Sequence, residues 1–165
     1  MLGMDTTSGD TSNDQSDTPI VQVQTIPHVP MTEEQIQAVH IGVLTPLLQP
    51  ISIAEYDPEW PRLFEREAAR VQGILADRVL LLEHVGSTAV PDLAAKPKID
   101  MLLVVVNSAD EPASAPDVQA AGYLLQIREP DWSAHRMFTG RDSDINLHGF
   151  SAGCPEINRM LLFRN

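Results

Sequence analysis

The segment from Glu83 to Thr88 ends in three small or hydroxyl-bearing residues, Gly86, Ser87 and Thr88, which are suited to holding a phosphate group. Because Gly86 has no side chain, backbone N–H groups of this turn can approach an oxyanion closely, and the two hydroxyls can donate as well. The alternative is a plain connection from a strand to a helix, with Ser87 or Thr88 as the N-cap. Spacing alone favours that alternative.

Asp100 stands near the start of the most apolar stretch of the chain, residues 99–106. Aspartate is disfavoured in strands, and an ionised carboxylate removed from water needs a cationic partner or a metal ion. Its position therefore indicates a catalytic or metal-binding role. The alternative is an exposed strand end at which Asp100 pairs with Lys98 or caps a turn. Leu102, not a second acid, shares its face, so this strand alone predicts no paired-carboxylate site.

Asp144, Asn146 and His148 alternate with apolar residues, so a strand would place all three on one face. Carboxylate and imidazole groups bind metal ions or transfer protons. If this strand lies beside Asp100, then Asp100, Asp144 and His148 form a metal site, with Asp100 and His148 as catalytic residues. The alternative is an edge strand whose polar face lies in water.

Two cations, Lys96 and Arg136, are candidates for binding phosphate charge, since guanidinium binds phosphate through a bidentate fork. His135 lies next to Arg136 and is a further candidate. The alternative for these residues is surface pairing with acids such as Asp131 and Asp142. The chain contains neither the glycine-lysine phosphate loop nor the dinucleotide-binding glycine pattern, which removes the main support for those two nucleotide-binding folds.

Helices and strands alternate in the pattern that must position these residues. Apolar residues at three- and four-residue spacing follow Asp57 and Pro58 and predict a helix that ends near Leu75. Further predicted helices span residues 109–121 and 155–163, and predicted strands span residues 51–54, 79–85, 99–106, 123–127, 136–139 and 145–150. This alternation predicts an α/β or α+β fold, a mixed sheet flanked by helices.

The chain divides into two parts by composition. Residues 1–48 contain no Lys or Arg and, up to Pro30, show no apolar periodicity, so we predict a disordered acidic tail. Within it, Thr32 precedes two glutamates and could start a short helix that runs to about His40. Residues 49–165 form the predicted folded domain.

The composition excludes several classes of protein. The chain has 165 residues and a net charge of −12. A membrane-spanning helix needs about 20 consecutive apolar residues, and no apolar run in the sequence approaches that length. Its N-terminal segment has no basic signal-peptide region, and the acidic balance argues against nonspecific nucleic-acid binding. The single cysteine, Cys154, favours a reducing, cytoplasmic setting.

Several segments together resemble the GrpB (UPF0157) family. They are Glu83-His84-Val85-Gly86-Ser87-Thr88-Ala89-Val90-Pro91, then Leu93-Ala94-Ala95-Lys96-Pro97 and Ile99-Asp100, with Tyr56-Asp57-Pro58-x-Trp60-Pro61 before them and Asn146-Leu147-His148 and Glu156-x-x-Arg159-x-Leu161-x-Phe163-Arg164 after them. The resemblance runs from Pro50 to the end of the chain.

This resemblance implies a nucleotidyltransferase-like fold. In that superfamily a Gly-Ser turn holds nucleotide phosphates, and carboxylates on adjacent strands bind Mg²⁺ or Mn²⁺. By position, Gly86 and Ser87 match the phosphate turn and Asp100 matches the first metal carboxylate. GrpB domains fused to dephospho-CoA kinase suggest a role in nucleotide or coenzyme A metabolism and a metabolic enzyme as a partner.

The chain departs from the family pattern at several places, among them Gly149 and Cys154, which replace a usual Val and Ser. Leu102 occupies the position of the usual second acid, which argues against catalysis with two metal ions. Asp92 stands where GrpB proteins have glycine, a change that a turn tolerates because aspartate visits the left-handed region. The chain also ends at Asn165, where relatives continue into further helices, so a shortened C terminus is expected.

Three functions remain open at this point. The first is binding of a nucleotide or other phosphorylated small molecule with a divalent metal, with transfer of a nucleotidyl group. The second is a non-catalytic module that senses a ligand or docks on a protein. The third is a metal-dependent phosphohydrolase that uses Asp100 and His148.

Overall fold

The structure is a computed structural model that describes residues 30–42, 50–141 and 144–164. The residues Met31–Asn165 form one compact unit. Most of the predicted disordered tail, residues 1–29 and 43–48, lies outside the described residues. In the part of the chain that is described, no helix has both the length and the apolar character needed to cross a membrane.

The α-helices and strands of the described residues form a five-stranded mixed sheet with helices on both faces. In chain order they are α1 (Glu33–Val39), α2 (Glu59–Leu75), β1 (Leu81–Val85), β2 (Ile99–Val105), α3 (Ala115–Ala120), β3 (Tyr123–Glu129), β4 (His135–Gly140), β5 (Ile145–Ser151) and α4 (Pro155–Arg164). The strand order is β1-β2-β5-β4-β3. Only β2 and β5 are parallel, and the other pairs are antiparallel. The predicted fold class is confirmed.

Strand β2 lies inside the sheet and is buried on both faces, as expected for a strand that reads as a continuous apolar run. Ile99, Met101 and Leu103 belong to the larger core, where α2 and α3 pack. Leu102 and Val104 belong to a smaller core, which α4 covers through residues Ile157, Met160 and Leu161. Asp100 shares this second face because side chains alternate along a strand.

Helix α2 begins as the sequence predicts. The Asp57 carboxylate accepts a hydrogen bond from the backbone N–H of Glu59 at 2.9 Å, which satisfies one of the free donors at the start of the helix. Trp60, Val71 and Leu75 are buried against the sheet. The helix ends at Ala76, whose φ of 52° turns the chain towards β1.

Two predicted elements are wrong in extent. The expected strand at residues 51–54 is reduced to a single bridge between Ala54 and Ala95. The expected helix at residues 109–121 is broken into a short 3-10 turn, Glu111–Ala113, and α3. The reason is that proline lacks the N–H that an α-helix interior requires, and the chain has Pro112 and Pro116 in this stretch.

The segment before the predicted boundary at residue 49 contains ordered structure that belongs to the compact unit starting at Met31. The short helix expected after Thr32 is present as α1, and Thr32 and Gln35 form a reciprocal capping box. His40 then forms a bridge with Ile127, and the N–H of Ile41 donates to the carbonyl of Gln126 at 2.7 Å. This segment is therefore attached to the edge strand β3.

Candidate functional site

The parallel pairing of β2 and β5 brings the polar residues of two distant segments together. Asp100 is directly paired with Asn146, and Leu102 is paired with His148. The amide Nδ2 of Asn146 donates to Oδ1 of Asp100 at 2.9 Å. Nε2 of His148 lies 3.4 Å from the same oxygen. The two residues proposed as catalytic from the sequence, Asp100 and His148, are thus neighbours.

The Gly86 turn contacts the Asp100 carboxylate from the other side. Val85, the last residue of β1, is paired with Asp100, so the turn that follows lies beside it. Gly86 has φ 74° and ψ −173°, a conformation that is essentially restricted to glycine. A Cβ atom at this position would lie 2.7 Å from Oδ2 of Asp100. Glycine is therefore required both by the backbone and by the carboxylate.

These residues line an open cleft of about 680 Å³ between the sheet and α4. The side chains of Asp100 and His148 are 29% and 16% exposed, so both reach the cleft while remaining largely shielded from water. Polar groups come from the turn and the sheet, and α4 supplies a mostly apolar wall. The lining residues are Val85, Gly86, Ser87, Asp100, Asn146, His148, Arg159, Met160, Leu162 and Phe163.

A line of hydrogen bonds continues from His148 away from the cleft. Nδ1 of His148 lies 3.1 Å from Nε2 of His135, and Nδ1 of His135 lies 2.6 Å from Oε2 of Glu129. His135 is buried and stacked on Phe150, with ring centroids 4.7 Å apart. Burial lowers the pKa of His135 below its ordinary value, and the hydrogen bond with Glu129 acts in the opposite direction.

The two cations predicted to bind phosphate do not lie in the cleft. Arg136 is buried, and its guanidinium donates to Glu111 at 2.6 Å and to the carbonyls of Ala134 and His135. All of these groups hold it away from the cleft, and its role in phosphate binding stays a prediction. Lys96 is half-buried and does not line the cleft.

Two other cations lie in or near the cleft. Arg159 of α4 lines the cleft. Lys98 lies at its edge, with Nζ 3.5 Å from Oδ1 of Asn146. Arg159 belongs to a motif that matched the family pattern, which was a usable signal. Nothing in the spacing of the sequence distinguishes Lys98 from Lys96 as a phosphate ligand.

Thr88 has a structural role and not the predicted phosphate contact. Its side chain is fully buried, and its hydroxyl donates to the carbonyl of Lys98 at 3.0 Å. The same oxygen lies 3.1 Å from Nε2 of His84 and accepts its N–H. Burial lowers the pKa of His84, Asp100 raises it to a smaller extent, and Arg164 lowers it further. Thr88 therefore ties the turn to β2, and Ser87 is the hydroxyl left in the cleft.

The three-ligand metal site is not assembled. The side chain of Asp144 is 79% exposed and lies 3.9 Å from Nζ of Lys98. Among residues 30–42, 50–141 and 144–164, no three His, Cys, Asp or Glu side chains are grouped closely enough to hold a metal ion. Strand β5 begins only at Ile145, so Asp144 precedes the paired region that would have directed it to Asp100.

Glu129 is a part of the site that sequence reasoning missed. It lies directly opposite His135 in the pairing of β3 with β4. The one available signal was the alternation of polar and apolar residues towards the end of β3, because it places Glu129 on the face that His135 also occupies. Without the hairpin register, that alternation could not identify His135 as its partner.

Comparisons with known proteins agree on one family. The family model described as "GrpB protein" matches residues 50–165. UPF0157 protein BH1888 of Halalkalibacterium halodurans is 56% identical over 136 residues, which cover 82% of this chain and 70% of that protein. UPF0157 protein SCO7215 of Streptomyces coelicolor is 35% identical over 115 residues, which cover 70% of this chain and 60% of that protein.

Two further relatives extend the comparison. A dephospho-CoA kinase of Mycolicibacterium paratuberculosis is 38% identical over 77 residues, covering 45% of this chain and 19% of the kinase. The crystal structure of conserved protein GrpB from Enterococcus faecalis superposes with a TM-score of 0.62 at 35% sequence identity, covering 69% of this chain and 70% of that one. The family match, the sequence relatives and the shared fold lead to one conclusion: the chain belongs to the GrpB (UPF0157) family.

Proposed function

We propose that this domain binds a nucleotide, or a similarly phosphorylated small molecule, together with Mg²⁺ or Mn²⁺, and transfers a nucleotidyl group to an acceptor hydroxyl. The fold would then belong to the nucleotidyltransferase-like superfamily, and the protein to the cytoplasm, where such ligands are abundant. The observation that carries the proposal is the contact between Gly86 and the Asp100 carboxylate at the floor of the cleft.

The donor set of the cleft fits a cation that is shared with a ligand. Among the described residues, Oδ1 of Asp100 accepts from Asn146, while Oδ2 accepts no hydrogen bond. Mg²⁺ keeps several waters and is commonly held by one or two carboxylates together with substrate phosphates. Asp100 alone meets that requirement, so the separation of Asp144 does not remove the proposal. When bound, the ion would neutralise charge on the phosphates.

The remaining groups fit the parts of a nucleotide. The Gly86–Ser87 turn starts a helical turn, and the first N–H groups of such a turn have no partner within it. Positive charge comes from Arg159, an exposed lining residue of the cleft that is also paired with Glu156, and from Lys98, which lies 3.5 Å from Asn146. Met160 and Phe163 offer apolar surface for a base. A relative named dephospho-CoA kinase supports the same class of phosphorylated ligand.

Calorimetry tests the binding step. Nucleoside triphosphates with Mg²⁺ are titrated into the unmodified protein, into Asp100→Asn and into Asp77→Asn. Asp77 is an exposed aspartate in the 3-10 turn before β1, at the end of that strand opposite to Gly86. We expect saturable heat for the unmodified protein and Asp77→Asn, with affinity about tenfold or more lower for Asp100→Asn. Equal heats, or none, for all three proteins would remove the proposal.

Leu102 supports a second candidate, a non-catalytic module that senses the ligand or docks on a metabolic enzyme. Its side chain is fully buried in the smaller core, at the position of the usual second acid. Turnover of a labelled nucleotide with and without acceptors distinguishes the candidates. Transfer product supports the enzyme, and binding without product supports the module. Phosphate release without an acceptor supports a phosphohydrolase that uses Asp100 and His148.

A further inference from the structure

The donor and the acceptor can be assigned for each hydrogen bond in the series that links His148, His135 and Glu129. We propose that Glu129 and His135 are positioning residues that hold His148 with its proton on Nδ1 and its lone pair on Nε2, the nitrogen beside Asp100 in the cleft. This inference rests on the proposed function, because it makes His148 the base of the transfer step. Neither Glu129 nor His135 lines the cleft, so both act through His148.

The direction starts at Glu129. An ionised carboxylate can only accept hydrogen bonds, so the 2.6 Å contact between Oε2 of Glu129 and Nδ1 of His135 requires a proton on that nitrogen. The two residues face each other across the β3–β4 pairing, which keeps the contact in register. A neutral His135 then has its lone pair on Nε2.

The tautomer of His135 determines which nitrogen of His148 is protonated. Nε2 of His135 lies 3.1 Å from Nδ1 of His148, and two lone pairs at that distance would repel each other. The proton of His148 must therefore lie on Nδ1, which leaves Nε2 as the basic nitrogen. Since the ring tautomer follows from the hydrogen bond that the other nitrogen makes, Glu129 determines the state of His148 at one remove.

Asp100 competes for the same proton. Its Oδ1 lies 3.4 Å from Nε2 of His148 and would favour a proton there. That distance is too long for a strong hydrogen bond, and the oxygen already accepts from Asn146 at 2.9 Å. The contact with His135 is shorter and has no other way to be satisfied, so it prevails.

The surroundings of His135 keep the ring neutral and fixed. It is buried between Trp132 and Phe150, with centroid distances of 5.1 and 4.7 Å. Burial disfavours a charged ring. Arg136, the cation on its own strand, also disfavours a positive charge on this ring, although its guanidinium is paired with Glu111. Both features leave Glu129 as the group that orients His135.

The chemical step that follows is a single proton transfer. An acceptor hydroxyl gives its proton to Nε2 of His148: the O–H bond breaks, its electron pair stays on oxygen, and an N–H bond forms on the imidazole lone pair. The positive ring that results lies beside the carboxylate of Asp100, which then accepts the new N–H. The freed oxygen is the nucleophile of the proposed transfer.

Long-range ¹H–¹⁵N spectra of the imidazole rings test the proposal on the full chain without any nucleotide, so the outcome does not depend on ligand binding. At one pH above the ordinary histidine pKa, each ring nitrogen is identified as protonated or unprotonated by its shift. We expect protonated Nδ1 and unprotonated Nε2 for both His135 and His148. His84 is an internal reference with the opposite state, since its Nε2 donates to Thr88.

Two variants complete the test. His135→Phe keeps the aromatic packing but removes the acceptor, so the proton of His148 should move to Nε2 beside Asp100. Glu129→Gln removes the charge while retaining side-chain size, and should yield both states of His148. We expect the ratio of the two states to change about tenfold or more, the equivalent of one hydrogen bond. The proposal is overturned if Nε2 of His148 is protonated in the unmodified protein. It is also overturned if a variant that folds shows the same ratio of the two His148 states as the unmodified protein.

Discussion

The two oxygens of the Asp100 carboxylate lie in different surroundings. Oδ1 accepts from Asn146 and lies near His148, whereas Oδ2 faces the Gly86 turn. An aspartate that served only to hold the scaffold together would have both oxygens satisfied by neighbouring amides. Among the described residues only one is satisfied, and the other faces the Gly86 turn, where the proposed cation would bind. We therefore expect ligand binding at this site to depend on the short distance between the Gly86 turn and the Asp100 carboxylate.

Gly86→Ala tests that closeness. An alanine at φ 74° is strained, and its Cβ would lie 2.7 Å from Oδ2, so the carboxylate or the turn has to move. We expect the free energy of unfolding in urea to fall by about 1–3 kcal/mol. Nucleotide binding should be lost with it.

Gly73→Ala is the matched control for that substitution. Gly73 lies in α2, and a Cβ added there meets no atom within 4 Å. The same change should therefore raise the free energy of unfolding by about 0.5–1 kcal/mol, because alanine favours the helix. If both alanine variants shift stability in the same direction, the special role of Gly86 is contradicted.

At the scale of single residues, the sequence indicated which residues are candidates for the site better than it indicated where their side chains point. Asp100 and His148 could be singled out because a charged or polar group beside buried apolar residues is rare unless it has a role. Arg136 and Thr88 do not present their polar groups to the cleft, for one physical reason. Their polar groups are consumed by internal partners, Glu111 and the carbonyl of Lys98, and such partners depend on packing that local spacing does not encode.

At the scale of elements, α2 and β3 are joined by a buried polar contact. The hydroxyl of Tyr123 donates to Oε2 of Glu67 at 2.7 Å, and both residues are buried. Arg66 and Arg70 lie 3.3 and 3.4 Å from the same carboxylate. Burial, followed by the hydrogen bond to Glu67, raises the pKa of Tyr123 well above its ordinary value. The folded protein therefore favours the neutral phenol.

Tyr123→Phe tests this contact. Loss of the hydroxyl leaves a buried carboxylate with one partner fewer, so the free energy of unfolding at neutral pH should fall by about 1–3 kcal/mol. Tyr56→Phe is the control, because Tyr56 contacts Trp60 through its ring. That substitution should change stability by less than about 0.5 kcal/mol.

The same pair of variants has a defined pH dependence. A folded-state pKa raised above the unfolded value means that the stabilisation is complete below the ordinary tyrosine pKa of 10.0. It is lost as pH rises towards the folded-state pKa, because the unfolded chain releases its proton first, with a slope of at most about 1.4 kcal/mol per pH unit. The difference in stability between the unmodified protein and Tyr123→Phe should therefore shrink between pH 9 and pH 11. A constant difference would contradict the contact.

Most helices and strands could be predicted from the periodicity of apolar residues. The pairing of the strands could not be predicted in this way. The helical spacing before Leu75 and the apolar run of β2 correspond to α2 and to an interior strand. The prolines at 112 and 116 mark where the predicted third helix breaks. No local pattern indicates that β2 pairs with β5, although that parallel pairing creates the site. It joins segments far apart in the chain, where periodicity carries no information.

At the scale of the whole molecule, the edge of the sheet is protected by the chain segment after α1. An open edge strand presents unpaired N–H and C=O groups that favour association between copies. His40 and Ile41 occupy part of the edge of β3. No residue of α1 itself is buried, so this segment contributes through backbone pairing and not through a hydrophobic core.

A comparison of chains that start at Met31 and at Pro50 tests this role. Removal of residues 31–49 deletes the bridge to Ile127 and the hydrogen bond to Gln126, and few apolar contacts. The free energy of unfolding should therefore fall by only about 1–2 kcal/mol, since each net hydrogen bond contributes about 1 kcal/mol. Association should rise instead, because the β3 edge becomes free; light scattering at increasing protein concentration measures it.

A lysine substituted for Leu124, an exposed residue of β3, should suppress that association without restoring stability. If the shorter chain unfolds outright, or stays monomeric at every concentration, the segment does not act as an edge cover.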